Sequence, residues 1–497
     1  MEELQSKTTS KSTLSDILKL MSGTVIAQAL PILISPVLSR LYEPLQFGYL
    51  TTYYSVINIL SALVCLRYDQ GIILPREDRK AANVFWLGVI VTGVISVILF
   101  LLYLVFQTTI LMLLQAEELG NIFQFIGPIL FFSGLNLILS SWSTRQKKFW
   151  RISSRLVINT LILSVVQILI PVLGLKTPLG LVYGVIAGAI AAAVILAIEV
   201  WREDKAKLTT GMDWIAIRSV AVEYKKFPLI ETWSYLMNTL SWQAPGLLLS
   251  LFFGQTVVGY YGLGYKVLVM PMALLGVPIA QVFSQRAVVE KESQSLGIFV
   301  EKVFQQLVKL GLFPLLLVAI IGPEAFSFVF NSSWVEAGRY AQILSVWIFF
   351  VFISSPISSL YFILNKQEVG LAFNIVALIT RVLSIVVGGL IGDIDLTLFL
   401  FSVTGVLLYI WATTWLLKSA GVLPKQIALF ILQGITRGLP FLLVVLAVKL
   451  LLHHSTLTLI TAGICGGLYY FYILIKDQEI RGFIEDFIKK KSTGVSK

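Results

Sequence analysis

Leu38–Tyr54 reads LSRLYEPLQFGYLTTYY and lies between two long apolar runs. Arg40, Glu43 and Pro44 interrupt those runs. Such a group marks the place where an apolar chain reaches water and turns, because proline removes a backbone donor and stops a helix. Gly48, just beyond it, leaves room for the next helix to pack closely on a neighbour. The flanking runs each approach the ~20 mostly apolar residues that a hydrocarbon core requires. The stretch is therefore read as the outer turn between the first two spans of a membrane protein.

The rest of the chain has the same character. Of 497 residues, 57% are hydrophobic and 13% charged, against about 25% charged in a typical soluble domain. Helices of this composition are apolar on most faces, which suits lipid. The sequence predicts about fourteen spans, near 18–39, 45–66, 82–106, 122–144, 155–175, 178–200, 229–252, 257–284, 304–322, 340–363, 369–391, 394–417, 430–452 and 457–475. Cys65 and Cys465 both fall inside apolar runs, which argues against a disulfide framework or a zinc site. The first apolar run is too long for a signal-peptide core and is read as an uncleaved span.

Net charge is +11, and its placement speaks against nucleic acid as a partner. With the N-terminus in the cytoplasm, the basic segments RYDQGIILPREDRK, RQKKFWRISSR, REDKAK and EYKK all fall on the inner side, as do Lys7, Lys11, Lys19, Lys366, Lys418 and Lys489–Lys491. The outer turns carry little beyond Arg40, Lys176 and Arg339, together with acids such as Glu117, Glu118 and Asp393. This asymmetry obeys the positive-inside rule and places both termini in the cytoplasm. The basic loops are read as topology signals facing anionic headgroups. The tail KDQEIRGFIEDFIKKK has helical apolar spacing and predicts an interfacial helix, and MDWIAIRSVAVEYKKFP is a weaker case.

The opening stretch recurs. LYEPLQFGYLTTYYSV aligns without gaps on FFGQTVVGYYGLGYKV, so that Gly48 falls on Gly259, Tyr49 on Tyr260 and Tyr54 on Tyr265. An even number of spans separates the copies, so the halves are expected to be parallel, related by an axis along the membrane normal. RQKKFW and LNKQEV form a second, fainter echo. The expected architecture is an all-α membrane protein: two pseudo-symmetric parallel six-helix lobes, at 1–210 and 211–425, with two further spans and the tail at 426–497.

The segments SPVLSRLYEPLQFGYLTTYYSV, LRYDQGIILPRED, STRQKKFWRIS, KFPLIETWSYLMNTLSWQAPGLLLSLFFG, VVGYYGLGYKVLVMPMALLG and VFSQRA, spread over residues 20–290, resemble the polysaccharide-biosynthesis flippases of the multidrug/oligosaccharidyl-lipid/polysaccharide exporter superfamily. The resemblance implies two lobes around a cavity, no cofactor, and alternating-access movement of an undecaprenyl-diphosphate-linked oligosaccharide across the bacterial inner membrane, for O-antigen, capsule or exopolysaccharide. The implied partners are that lipid-linked cargo, membrane lipids, and polymerase and other assembly proteins.

An anionic diphosphate headgroup asks for cations facing a wet cavity. A central Lys or Arg costs roughly 2.5–3.5 kcal/mol on insertion scales and usually faces such a cavity. Lys266 and Arg381 lie near mid-span, Arg437 about two turns inside its span, and Arg40 at the outer mouth. Each can equally be a snorkelling or paired structural charge, and Lys449 is read as a snorkelling outer-end residue. Glu231 and Asp69 are candidates for proton or sodium coupling, with Arg67 and Arg76 as structural partners for Asp69. Gln28, Asn58, Asn136, Asn159, Gln243 and Asn374 either line the cavity or bond between helices. His453 and His454 are adjacent, which is not a metal-ligand spacing.

Two other functions compete. A drug or cation antiporter of the same superfamily would want acids deep in the first lobe, where the sequence has none. A membrane glycosyltransferase or polymerase would want a carboxylate cluster or a large outer loop. The longest outer loop is expected only around Glu324–Arg339. A transporter without a catalytic residue is the expectation.

Overall fold

A computed structural model describes residues 27–175, 177–210 and 212–476. The interfacial helix expected in the tail, Lys7, Lys11, Lys19 and Lys176 lie outside the described residues. Among those described, every regular element is helical. The principal helices are α1 (Ala27–Leu41), α2 (Pro44–Val64), α3 (Asp78–Leu113), α4 (Ile126–Arg145), α5 (Phe149–Val172), α6 (Gly180–Thr209), α7 (Thr232–Phe253), α8 (Gln255–Leu268), α9 (Val277–Glu292), α10 (Leu296–Phe330), α11 (Val335–Ser354), α12 (Gln367–Ile391), α13 (Ile394–Ser419), α14 (Pro424–Leu452) and α15 (Ser455–Lys476). Eleven helical segments among the described residues are long and apolar enough to cross a membrane, and a helix lies at each of the expected spans.

Local chemistry sets the boundaries. Pro44 opens α2 rather than ending α1: it is the first helical residue, where a missing N–H costs nothing and a fixed φ helps. The Glu43 N–H donates to Gln46 Oε1 at 2.6 Å and closes that end. The single span expected at 257–284 is broken instead, into α8 and α9 around a π-helical turn at Met272–Gly276. Pro271 and Pro278, which have no N–H to offer the preceding turn, bracket the break. The expected outer loop around Glu324–Arg339 shrinks to Asn331–Trp334, because α10 continues to Phe330 and α11 begins at Val335.

By packing, the described chain falls into two compact units. One comprises residues up to Leu263 with Asn374–Thr397, and the other Gly264–Phe373 with the chain from Leu398. In the first, α2 and α8 cross at the two repeat glycines. A Cβ at Gly48 would stand 1.8 Å from the Gln255 carbonyl oxygen, and one at Gly259 would stand 1.8 Å from that of Pro44. Gln255 and Pro44 are themselves equivalent in the repeat alignment. The contact is thus reciprocal, each glycine accepting the backbone of the other copy, as a local twofold axis between the two helices requires.

Interior prolines supply the second recurring device. Each lacks the N–H that would bond the carbonyl four residues earlier, and within lipid an unpaired carbonyl costs several kcal/mol. Side chains from elsewhere meet these carbonyls. For Pro171, the Tyr42 hydroxyl donates to Gln167 O at 2.8 Å. For Pro314, the Tyr470 hydroxyl of α15 donates to Leu310 O at 3.0 Å, with Tyr469 beside it on Lys309 O at 3.1 Å. For Pro323, Gln342 Nε2 donates to Ala319 O at 3.0 Å. Lys449, expected to snorkel, turns to the same kink: its Nζ donates to Ile320 O at 2.6 Å and pairs with Glu324 at 2.9 Å.

Some cations of the basic segments read as headgroup-facing are paired with acids. Arg151, with no exposed side-chain surface, sits 2.8 Å from Asp204 and 2.6 Å from Glu203. Lys148 reaches the same two carboxylates, and Arg145 pairs with Asp78 at 2.9 Å. In this part of the first unit the charge serves packing, since the paired carboxylates offset the desolvation of the buried Arg151.

Candidate functional site

The first unit holds a half-open cavity of about 510 Å³ walled by α2, α4, α5, α6 and α7. Helical spacing explains how each wall forms. Tyr54, Asn58 and Ser61 share one face of α2, Ser133 and Asn136 one face of α4, and Arg155, Asn159 and Leu163 one face of α5. From α7 come Tyr235, Asn238, Thr239, Trp242 and Gln243. These are polar stripes on otherwise apolar helices, and a stripe of that kind inside a bilayer faces water or a ligand. Small residues on α6, Ala189 and Ala192, leave the space open. α7 is also a helix of spanning length that is not among the eleven segments apolar enough to cross on composition alone.

Asn58, Asn136, Asn159 and Gln243, expected as cavity lining, all lie on this wall. Among the described residues no side-chain hydrogen bond engages the amides of Asn58, Asn159 or Gln243, so their donors and acceptors face the cavity. Asn136 is held. Its Nδ2 donates to the carbonyls of Phe132 and Ala189, each at 3.1 Å, and its Oδ1 accepts from Arg155 Nη1 at 3.4 Å. Gln28 on α1 and Asn374 on α12 are half-buried and do not line the cavity.

Arg155 is the residue that sequence reasoning missed. In the sequence it closes the basic segment RQKKFWRISSR, yet α5 begins at Phe149 and carries Arg155 nearly two turns inward. The signal was present in the sequence, since Asn159 and Leu163 continue the same helical face at four-residue steps. Its Nε is buried without a hydrogen-bond partner, and the 3.4 Å contact to Asn136 engages one of five donors. Arg155 has no ion-pair partner among the described residues, and no Asp, Glu, Lys or His joins it on the cavity wall. The cavity is therefore electropositive, with uncharged amides and aromatic faces around one guanidinium.

The cations expected at the site lie elsewhere. Arg381 is buried on α12, its Nη1 donating to Ser241 O at 2.9 Å and to Ser241 Oγ at 2.7 Å, with its guanidinium 4.4 Å from the centre of the Trp242 ring. Lys266 lies half-buried on α8 in the second unit, and Arg437 half-buried on α14. Arg40 is exposed at the end of α1, donating to Pro36 O at 2.6 Å. Glu231 is exposed at the end of a π-helical turn, Phe227–Glu231. Asp69 is buried, 3.8 Å from Arg67, and accepts from Gln70 Nε2 at 2.9 Å and from the Cys65 thiol. Arg67 lies over the Tyr235 ring at 4.2 Å and is not itself part of the cavity wall.

Residues 37–339 match the family model described as polysaccharide biosynthesis protein. The chain belongs to that family. Solved structures place the fold of this polysaccharide biosynthesis protein. The lipid II flippase MurJ in an inward closed conformation superposes with a TM-score of 0.71 at 12% identity, over 94% of this chain and 99% of that one. An inward-facing multidrug resistance MATE family transporter of the MOP superfamily gives 0.62 at 13% identity, over 82% and 98%. A MOP superfamily transporter from Pyrococcus furiosus, described as having a binding pocket of reverse polarity, gives 0.51 at 12% identity, over 82% and 95%. No curated protein matches the chain. At these identities the likeness establishes an all-helical, multi-pass membrane fold of the MurJ and MATE type.

Proposed function

We propose that the protein is a flippase that moves a lipid-linked oligosaccharide of the undecaprenyl-diphosphate type across the bacterial inner membrane by alternating access, with both termini cytoplasmic. One observation carries the reading: a cavity of about 510 Å³ in the first unit holds an arginine with free donors and no carboxylate. A guanidinium offers the fork that matches a phosphate oxygen pair. Uncharged amides at Asn58, Asn159 and Gln243 suit sugar hydroxyls, and the rings of Tyr54, Tyr235 and Trp242 supply apolar faces with polar edges. The lipid tail stays in the bilayer while the headgroup is drawn through. Family membership supports a role in polysaccharide assembly. The antiporter reading would require a carboxylate to hold a cationic drug, and the described cavity wall has none.

The test is Arg155→Ala in cells lacking the native copy. Loss of charge-assisted hydrogen bonds of ~1.5–3 kcal/mol lowers apparent affinity roughly 10- to 150-fold. The expected result is normal protein level, depleted surface polysaccharide and lipid-diphosphate-linked repeat units accumulating on the inner leaflet, with Arg155→Lys partly active. Parental polysaccharide output from Arg155→Ala overturns the reading. So does a drug-sensitivity phenotype with unchanged polysaccharide.

A further inference from the structure

Arg381 is a mid-membrane arginine in a chain proposed to bind a diphosphate, yet it does not line the cavity. Its surroundings give it another task. Pro245 lies inside α7, so it has no N–H for the carbonyl of Ser241, four residues before it. Arg381 Nη1 donates to that carbonyl at 2.9 Å and to the same residue's hydroxyl at 2.7 Å. The adjacent residue, Trp242, carries the Arg381 guanidinium over one ring at 4.4 Å and belongs to the cavity wall. One side chain thus occupies the acceptor that the proline orphans and braces the aromatic ring that faces the cavity. The same pairing of a proline with a remote donor occurs at Pro171, Pro314 and Pro323, so the Arg381 contact fits a pattern.

We infer that Arg381 is a positioning residue: it latches the proline break of α7 and so sets the α7 wall of the cavity, leaving headgroup contact to Arg155. The inference deepens the flippase reading and rests on it for its functional meaning, but the latch itself does not depend on any cargo.

The discriminating experiment restores the missing N–H. Thr239→Cys, on the cavity face of α7, is labelled in membrane vesicles with a water-soluble methanethiosulfonate reagent, against the buried background of Cys65 and Cys465. Rates and thermal melting are compared for the parent, Arg381→Met, Pro245→Ala and the double variant. Arg381→Met is expected to change the labelling rate on the order of tenfold and lower the melting temperature, because it strands a buried carbonyl. Pro245→Ala is expected to bring both readouts in the double variant back near parental values, since the helix then bonds Ser241 O itself. A substrate-binding arginine would gain nothing from that second change. If Arg381→Met fails to accumulate, recovery of accumulation in the double variant supports the latch. Unchanged labelling in Arg381→Met, or no rescue by Pro245→Ala in either readout, overturns it. Neither readout uses substrate, so a failed Arg155 test leaves this result standing, and the reverse holds.

Discussion

Replacing Gly48 by alanine puts a methyl group where no atom fits. The added Cβ would stand 1.8 Å from the Gln255 carbonyl oxygen and 2.6 Å from its carbonyl carbon. Ordinary non-bonded contacts begin at about 3.5 Å, so α2 and α8 must part by ~1.5 Å or more at the crossing. Overpacking in a core usually costs ~1–3 kcal/mol. Here the obstacle is backbone of another helix, which cannot rotate aside, so about 3 kcal/mol is expected. Gly259→Ala meets the mirror-related obstacle, the Pro44 carbonyl at 1.8 Å, and its cost is expected to be similar. Both changes open the same crossing. The double variant should therefore cost well under the sum, with a coupling of ~0.5–3 kcal/mol. Thermal melting of the purified proteins measures this: a fall of about 3 °C for each single variant, and little further for the double. Singles that melt within about 1 °C of the parent, or a double that is strictly additive, would refute the reciprocal contact.

Other expectations concern the charged and polar interior. Arg151→Ala leaves Asp204 buried without its closest counter-ion and is expected to cost ~3–5 kcal/mol. Lys80→Ala removes an exposed, solvent-screened pair with Glu223 and should leave the melting temperature at its parental value. Tyr42→Phe strands Gln167 O at ~1–3 kcal/mol, and Pro171→Ala should recover most of that loss. Asn58→Leu combined with Gln243→Leu removes amides that bond to no described residue. Stability should stay within ~1 kcal/mol of the parent while surface polysaccharide falls, and parental output would remove these amides from the proposed site.

The span pattern was legible because lipid imposes one strong rule: every backbone group must be satisfied within the helix. That rule located the spans from Pro44 to Lys476, but α3, α6 and α10 run seven to nine residues past the expected ends. It failed at residues 257–284, where two prolines in one apolar run divide a single expected span into α8 and α9. The amides at 58, 136, 159 and 243 were found because polar residues are costly at mid-span. The cations were harder to place. Arg155 was hidden by basic neighbours that belong to the loop before α5, and a count of charge by side cannot separate a loop residue from one nearly two turns inward. Arg381 was visible, but its partner Ser241 lies 140 residues away, a distance no local pattern spans. The acids that neutralise Arg151 also lie on another helix, α6, so pairing could not be read from the basic segment alone.

The remote donors at the proline breaks set an order of events during biosynthesis. Tyr42 leaves the ribosome 125 residues ahead of Gln167, so its acceptor never waits. Arg381 follows Ser241 by 140 residues, and Tyr470 follows Leu310 by 160. α7 and α10 therefore enter the membrane with these carbonyls bare, one waiting for α12 and the other for α15. Until its partner helix arrives, each carbonyl carries the cost of an unpaired group in lipid, and a chain cut short before α15 keeps that cost in α10.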